Sequence, residues 1–304
     1  MWEAMRLLIT DLDNTLYDWV NYFALSFRAM VNELSLLLSV DKETLKDEFK
    51  AVHQRHNSSE FPFAILELPS VRDHFGSASR SQLFKYLRGP LDAFKQSRNK
   101  HLELYPSVFE TLQYLRSLNV LVVGHTEAIA ELAFHRLQIL GILPFFTHLY
   151  ALDGSLEPHP DSERDAGALG LPPALVTFVP SDERKPNPRL LRDICSKEGV
   201  PISDTMYVGD SLTRDVSMAK SAGATAVWAR YGTRYSSALW SEVVRVTHWT
   251  DEHVTLEARL REQCRDIRPD HTIDSFSEII NLFGYGESED TRDLATVLPV
   301  DLFR

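Results

Sequence analysis

The chain has 304 residues, 44% hydrophobic and 25% charged, a balance that supplies a buried core and argues against global disorder. A formal charge of −11 with no dense Lys/Arg block leaves no basic footprint for nucleic acid. The two cysteines, Cys195 and Cys264, lie too far apart in sequence for a disulfide framework or a cysteine-rich zinc site, and they fit a reducing cytoplasm.

No basic segment followed by an apolar stretch opens the chain, and no apolar run is long enough to span a bilayer. Neither secretion nor membrane insertion is therefore expected. Arg6 to Thr10 reads as a short buried strand that ends in acids: Asp11, Asp13 and, after Thr15, Asp18. From about residue 20 the spacing becomes helical. FALSFRAMVNELSLLL carries apolar residues three and four apart, and KETLKDEFKAVHQRH follows Asp41 as its N-cap. SQLFKYLRGPLDAFKQSRN reads as one or two helices broken at Gly89-Pro90. No strand pattern falls between about 20 and 103, so this stretch is expected to be an all-helical insertion.

Alternation then begins. SVFETLQYLRSL reads as a helix, VLVVG (120–124) as a strand, and EAIAELAFHRLQILG as a helix stopped by Gly141. HLYAL and LVTFV read as strands on either side of a polar, irregular stretch at 153–175. PNPRLLRDICSKEG reads as a helix, TMYVGD as a strand, SLTRDVSMAKSAG as a helix and ATAVWA as a strand. Strands alternating with helices predict an α/β fold with a parallel sheet covered on both faces. DEHVTLEARLREQ and SFSEIINLFG read as later helices, and residues 287–304 as an acidic, partly disordered tail. The expected division is a core over 1–18 and 103–245, a helical unit over 19–102, and a C-terminal extension over 246–304.

In open parallel sheets, ligands sit beyond the carboxyl ends of the strands. Four of the expected strand ends deliver polar groups there: Asp11 and Asp13; His125, Thr126 and Glu127; Ser181 through Lys185; and Asp210, Ser211 and Asp215. Mutually repelling carboxylates call for a cation, and Mg²⁺ takes carboxylate oxygens together with substrate phosphate. Lys185 and Thr126 suit phosphate oxygens, and a carboxylate can attack phosphorus while a second acid handles protons. Each piece alone has an ordinary explanation. A lone DxD is usually a solvated loop, a lone Lys-Pro a surface turn, and an acid such as Asp215 an ordinary first-turn residue.

The set together is similar to the haloacid dehalogenase superfamily. DLDNT resembles its first motif, Thr126 in VVGHTEA its second, Lys185 in ERKPNP its third, and Gly209, Asp210 and Asp215 in YVGDSLTRDVSMAKSAGA its fourth. The match covers about 6–18 and 104–232. The resemblance implies a Rossmann-like core with an all-helical cap inserted after the first strand. It implies Asp11 as nucleophile and Mg²⁺ ligand, and Asp13 as general acid/base with its carbonyl on the metal. Thr126 and Lys185 would hold the phosphoryl group. Asp210 would be a Mg²⁺ ligand, and Asp215 a ligand or a supporting acid. The sequence departs from the family at Glu127, which stands where Asn is common. Either it opposes substrate, or it starts the next helix and favours that helix's N-terminal dipole.

The function expected on this resemblance is Mg²⁺-dependent hydrolysis of a small cytoplasmic phosphomonoester through an aspartyl phosphate. The substrate would be a sugar phosphate, a phosphoglycolate-like acid or a nucleoside monophosphate. A phosphomutase, or a catalytically silent phosphate-binding or regulatory protein on the same fold, shares these residues. A dehalogenase attacks carbon and needs neither the metal nor a second acid at 13. A phosphoaspartate receiver domain orders its acids differently along the chain. No oligomeric state is assigned. Outside the motifs, Asp18 is expected as a loop contact or N-cap, Asp182 and Glu183 as solvated charge, and Arg55 as helix surface. His53 and His56 are expected to face solvent. Phe23, Phe27, Phe61 and Phe63 are expected in the core, and Trp19 at the site mouth or a hinge.

Overall fold

The computed structural model describes residues 5–61, 63–153 and 171–283. Seven strands form one sheet: β1 (Leu7–Thr10), β2 (Leu121–Ile129), β3 (His148–Leu152), β4 (Val176–Val179), β5 (Thr205–Gly209), β6 (Thr225–Ala229) and β7 (His271–Ile273). Their order is β4-β3-β2-β1-β5-β6-β7, and every neighbouring pair is parallel. The chain winds outward from β1 in one direction through β4, then restarts at β5 on the other side. That reversal beside β1 is where an open α/β sheet leaves its crevice.

All four residues of β1 are buried. Leu7 and Ile9 pack on one face and Leu8 on the other, as the two-residue period of a strand requires. Leu7 and Ile9 meet Leu191 and Ile194 of α8 (Pro188–Glu198) and Met218 and Ala222 of α9 (Ser217–Ala222). Leu8 joins the larger cluster, with Leu112 and Leu115 of α6 (Val108–Ser117) and Ala133 and Leu137 of α7 (Ala130–Ile139). Each large apolar side chain buried this way contributes roughly 1.5–3 kcal/mol.

Among the described residues, six α-helices lie between β1 and β2: α1 (Trp19–Leu38), α2 (Lys42–Arg55), α3 (Pro69–Phe75), α4 (Arg80–Tyr86) and α5 (Arg88–His101) in the insertion, and then α6. Asp18 caps α1 by accepting from the Asn21 amide at 2.8 Å, and Asp41 caps α2 through the Glu43 and Thr44 amides. In α1, Val20, Phe23, Phe27, Val31, Leu34 and Leu38 recur at helical spacing and are buried. The break between α4 and α5 falls at Leu87 rather than at Gly89-Pro90. Proline lacks an amide that the first turn of a helix leaves unpaired anyway, so Pro90 fits inside the start of α5.

Two elements were not visible as patterns. α10 (Ser237–Val246) follows β6 and packs on α1 and α2. β7 supplies the seventh strand from within the expected C-terminal extension, and Phe276, Ile279 and Phe283 behind it are buried in the main core. The expected helix over DEHVTLEARLREQ is α11 (Asp251–Gln263). Most of the stretch 153–175 and the tail 287–304 lie outside the described residues. No single described helix is long and apolar enough to cross a membrane.

His53 corrects an expectation. It is 2% exposed, not solvent-facing, because α10 covers that face of α2 and the Val246 carbonyl lies 2.6 Å from His53 Nδ1. Burial lowers its pKa below the ordinary histidine value. His56 stays nearer the surface, stacked on Phe61 and 3.0 Å from Glu67.

Candidate active site

Strand register builds the site. Thr10 lies level with Gly124 on β2 and with Val208 on β5. The residues just beyond, Asp11, His125 and Gly209, therefore emerge at one height on three adjacent strands. After β1 the chain turns tightly over Asp11–Tyr17, with Asn14 at φ 57°, a left-handed conformation that Asn tolerates better than most residues. Thr15 returns its hydroxyl to Asp11 Oδ2 at 3.2 Å.

Lys185 closes the cluster. Its Nζ donates to Asp11 Oδ1 at 2.6 Å and to Asp215 Oδ1 at 2.9 Å, and the side chains involved are almost wholly buried. Burial alone would favour the neutral amine. Asp11 and Asp215 reverse that and hold the ammonium well above the usual lysine range. Burial pushes the Asp11 carboxyl up to about 7, against the pull of Lys185 and with the repulsion of Asp215 and Asp13 behind it.

Asp210 directly follows β5, and Asp215 lies in the π-helical turn Leu212–Val216 just beyond it. Asp215 is fixed by the protein: Oδ1 also accepts from Tyr207 at 3.3 Å, and Oδ2 accepts from the Ser211 amide at 3.0 Å. Gly209 makes this approach possible, since a Cβ there would overlap the Asp215 carboxylate. Gly232 has the same kind of role against the Asn14 carbonyl. Among the described residues, no hydrogen bond from another residue ends on the Asp210 carboxylate. Its pKa is raised well above the ordinary carboxylate range by burial and by Asp11 and Asp215. Carboxylate oxygens of Asp11, Asp210 and Asp215 lie within 4.8 Å of one another. Three carboxylates beside one ammonium leave an excess of negative charge among hard oxygen donors, and these residues fit Mg²⁺.

Thr126 sits within β2, 2% exposed, where its hydroxyl oxygen accepts from the Ala128 amide at 3.0 Å. The hydroxyl proton is then available to a ligand. β2 runs on to Ile129, five residues past the expected strand, so Glu127 is not the start of a helix. Its carboxylate accepts from the Lys185 amide at 3.2 Å and pairs with Arg214. Glu127 thus ties the loop that carries Lys185, and its charge is engaged by the protein. His125 is buried against Tyr207, and burial and the nearby Lys185 hold its pKa well below the ordinary histidine value.

A model of haloacid dehalogenase-like hydrolases matches residues 5–223. The chain belongs to this family. A second model, of HAD-like hydrolases, matches residues 183–279 and so takes in the strands beyond the last motif. The expected enzyme class, a hydrolase of phosphoric monoesters, agrees with this family and with the names of curated relatives. A phosphoglycolate phosphatase of Nitrosococcus oceani is 24% identical over 282 residues, covering 93% of this chain and 98% of that protein. A glyceraldehyde 3-phosphate phosphatase of Methanopyrus kandleri is 24% identical over 232 residues, covering 75% and 85%. Among solved structures, a 2-haloacid dehalogenase from Pseudomonas syringae pv. Tomato superposes with TM-score 0.52 at 16% identity, covering 92% of this chain and 98% of that one. A HAD phosphatase from Thermococcus onnurineus gives 0.51 at 18% identity, with the same coverage. The two neighbours carry different activities at nearly equal likeness, so the fold does not choose between them.

Sequence patterns missed a second cluster in this HAD-like hydrolase. Asp13 does not join the Lys185 group. Its Oδ1 accepts from Tyr17 OH at 2.7 Å and from Arg136 at 2.8 Å. Arg136, 4% exposed on α7, also pairs with Glu60, which follows α2. Burial raises the Asp13 carboxyl, Arg136 opposes the rise and Glu60 adds to it. The available signal was the helical spacing: Arg136 lies three residues after Ala133, on the buried stripe with Ala130 and Leu137.

Proposed function

We propose that this chain is a Mg²⁺-dependent phosphatase that hydrolyses a small phosphomonoester through an aspartyl phosphate on Asp11. The observation that carries the reading is the division of labour between the two acids after β1. Asp11 sits against Lys185, while Asp13, two residues on, is held apart from that cation by Tyr17 and Arg136. A nucleophile beside a positive charge and a separate proton carrier is the pair that phosphoryl transfer to a carboxylate needs. The phosphatase names of the relatives support the same choice over dehalogenation.

In this reading Asp11, Asp210 and the Asp13 carbonyl would hold Mg²⁺, which would supply positive charge to the phosphoryl oxygens when bound. Asp215, already bonded to Lys185, Tyr207 and Ser211, supports the cluster by fixing Lys185. Lys185 and the Thr126 hydroxyl bind phosphoryl oxygens. An Asp11 oxygen forms a bond to phosphorus as the bond to the leaving oxygen breaks. Asp13 gives that oxygen its proton. Asp13 then takes a proton from water as the water oxygen attacks phosphorus, releasing phosphate and restoring the Asp11 carboxylate. Helices α1–α5 form a cap over these loops and set the substrate. Candidates are a phosphoglycolate-like acid, a sugar phosphate or a nucleoside monophosphate, in the cytoplasm, with no part for nucleic acid or membrane.

The test is phosphate release from p-nitrophenyl phosphate and from a panel of metabolite phosphates, with Mg²⁺ and with EDTA. Release that needs Mg²⁺ is expected. Equal release in EDTA would remove the metal from the reading, and release of halide from a haloacid, with no phosphate release, would replace the reading altogether.

A further inference from the structure

Arg136 stands outside every motif, yet it is the buried cation that touches Asp13. Its guanidinium forks between two carboxylates, Asp13 on the loop after β1 and Glu60 on the segment after α2. Glu60 Oε1 is itself anchored by Tyr22 OH at 3.0 Å and Trp19 Nε1 at 3.2 Å, both from α1. The Tyr22 ring also lies 5.4 Å from the Arg136 guanidinium carbon. The chain of contacts runs from the helical insertion, through Glu60 and Arg136, to Asp13.

The contacts on Asp13 are one-sided. Among the described residues, the hydrogen bonds to its carboxylate come from Tyr17 and Arg136, and both end on Oδ1. Two donors on one oxygen fix the carboxyl plane and leave the other oxygen, Oδ2, to carry the transferred proton. A planar guanidinium serves here better than an ammonium, because two of its N–H groups reach two acids in a fixed relation.

We propose that Arg136 is a positioning residue for Asp13, and that Glu60 makes this positioning depend on the seating of the helical insertion. The inference rests on the phosphatase reading above. Arg136 does not touch the reacting atoms in this account. It acts by holding Asp13 Oδ1 so that Oδ2 meets the leaving oxygen when the insertion is seated with Glu60 on the guanidinium.

Leaving-group dependence separates this role from a structural one. p-Nitrophenolate departs with little help from an acid, whereas phenolate needs the proton. The full chain with Mg²⁺ would be assayed on p-nitrophenyl phosphate and on phenyl phosphate, and kcat/KM, which reports transfer to Asp11, compared. Arg136→Met is expected to lower kcat/KM on phenyl phosphate by about a hundredfold, and on p-nitrophenyl phosphate by less than about fivefold. Arg136→Lys and Glu60→Gln, milder changes that keep the assay informative if Arg136→Met folds poorly, should show the same selective loss at about five- to tenfold. Equal losses on both substrates in these two variants, or losses that follow a lowered Tm alone, would overturn the proposal. A wild-type chain that hydrolyses neither ester would instead overturn the phosphatase reading itself.

Discussion

Lys185 and Arg136 are both buried cations set between two carboxylates, and they differ in where those carboxylates come from. Lys185 bridges Asp11, which directly follows β1, and Asp215, in the turn that follows the neighbouring strand β5. Arg136 bridges Asp13 and Glu60, which belong to separate parts of the chain joined only by the packing of the helical insertion. The first cluster is fixed by strand register and by glycines that leave room for it. The second exists only while α1 and the segment after α2 sit against α7. The strand-end frame therefore holds Asp11, the proposed nucleophile, and the junction with the insertion holds Asp13, the proposed acid.

The largest effect is expected at Asp11, the proposed nucleophile. Asp11→Asn keeps the shape and the Thr15 contact but removes the attacking charge. Turnover of p-nitrophenyl phosphate is expected to fall at least about 10⁴-fold, with an unchanged far-UV circular dichroism spectrum. Substantial activity in that variant would show that the Lys185 cluster does not contain the nucleophile.

Removing each cation should separate the two clusters by stability. Lys185→Met strands Asp11 and Asp215 in a buried setting, at an expected cost of about 3–5 kcal/mol in urea unfolding without metal. Arg136→Met should cost less, about 2–3 kcal/mol, because Tyr17, Tyr22 and Trp19 still donate to the two acids. The reverse order would mean that the junction, not the strand-end cluster, is the more heavily committed charge site.

Acidity gives a third handle. The Asp11 carboxyl is raised from the ordinary 3.8 to about 7 in the folded chain, so the native state binds this proton more tightly than the unfolded one. Its contribution to stability is complete below about pH 4 and is lost as pH rises through about 7, and Asp210 shifts in the same direction. Mg²⁺ meets the ionised acids, so saturating Mg²⁺ should raise Tm by about 5 °C at pH 8 and by little at pH 5. An equal rise at both pH values would place the ion elsewhere.

The smallest effect is expected on the outer side of the insertion. Arg28 on α1 reaches Glu242 on α10 with two hydrogen bonds, but both side chains are more than a third exposed. Arg28→Ala should change stability by no more than about 0.5 kcal/mol in thermal melts. A larger loss would make α10 a principal anchor of the insertion alongside Arg136.

The sheet and the strand-end acids were legible because each sits in a local pattern. An apolar run followed by DLD, or YVG followed by D and a second acid five residues on, marks a strand end within a few positions. β7 was not legible, because it has three residues and two of them are exposed. α10 was missed, and His53 misplaced, for the reason that connects them: one covers the other, and neither segment carries a sign of its distant partner. Glu127 was ambiguous because its identity depends on where β2 ends, and the strand continues through it to Ile129. Arg136 carried a faint sign, a charge on the apolar stripe of a helix. Its partners, Asp13 and Glu60, are 123 and 76 residues away, so no local spacing could name them.

The most direct test of the account is to trap its intermediate. The chain would be mixed with p-nitrophenyl phosphate and Mg²⁺, quenched in acid within the first turnovers, digested, and its peptides weighed by mass spectrometry. A phosphoryl group is expected on the peptide Leu7–Arg28, located at Asp11 and absent when Asp11 is Asn. Steady hydrolysis with no phosphorylated Asp11, and with activity kept in Asp11→Asn, would contradict it.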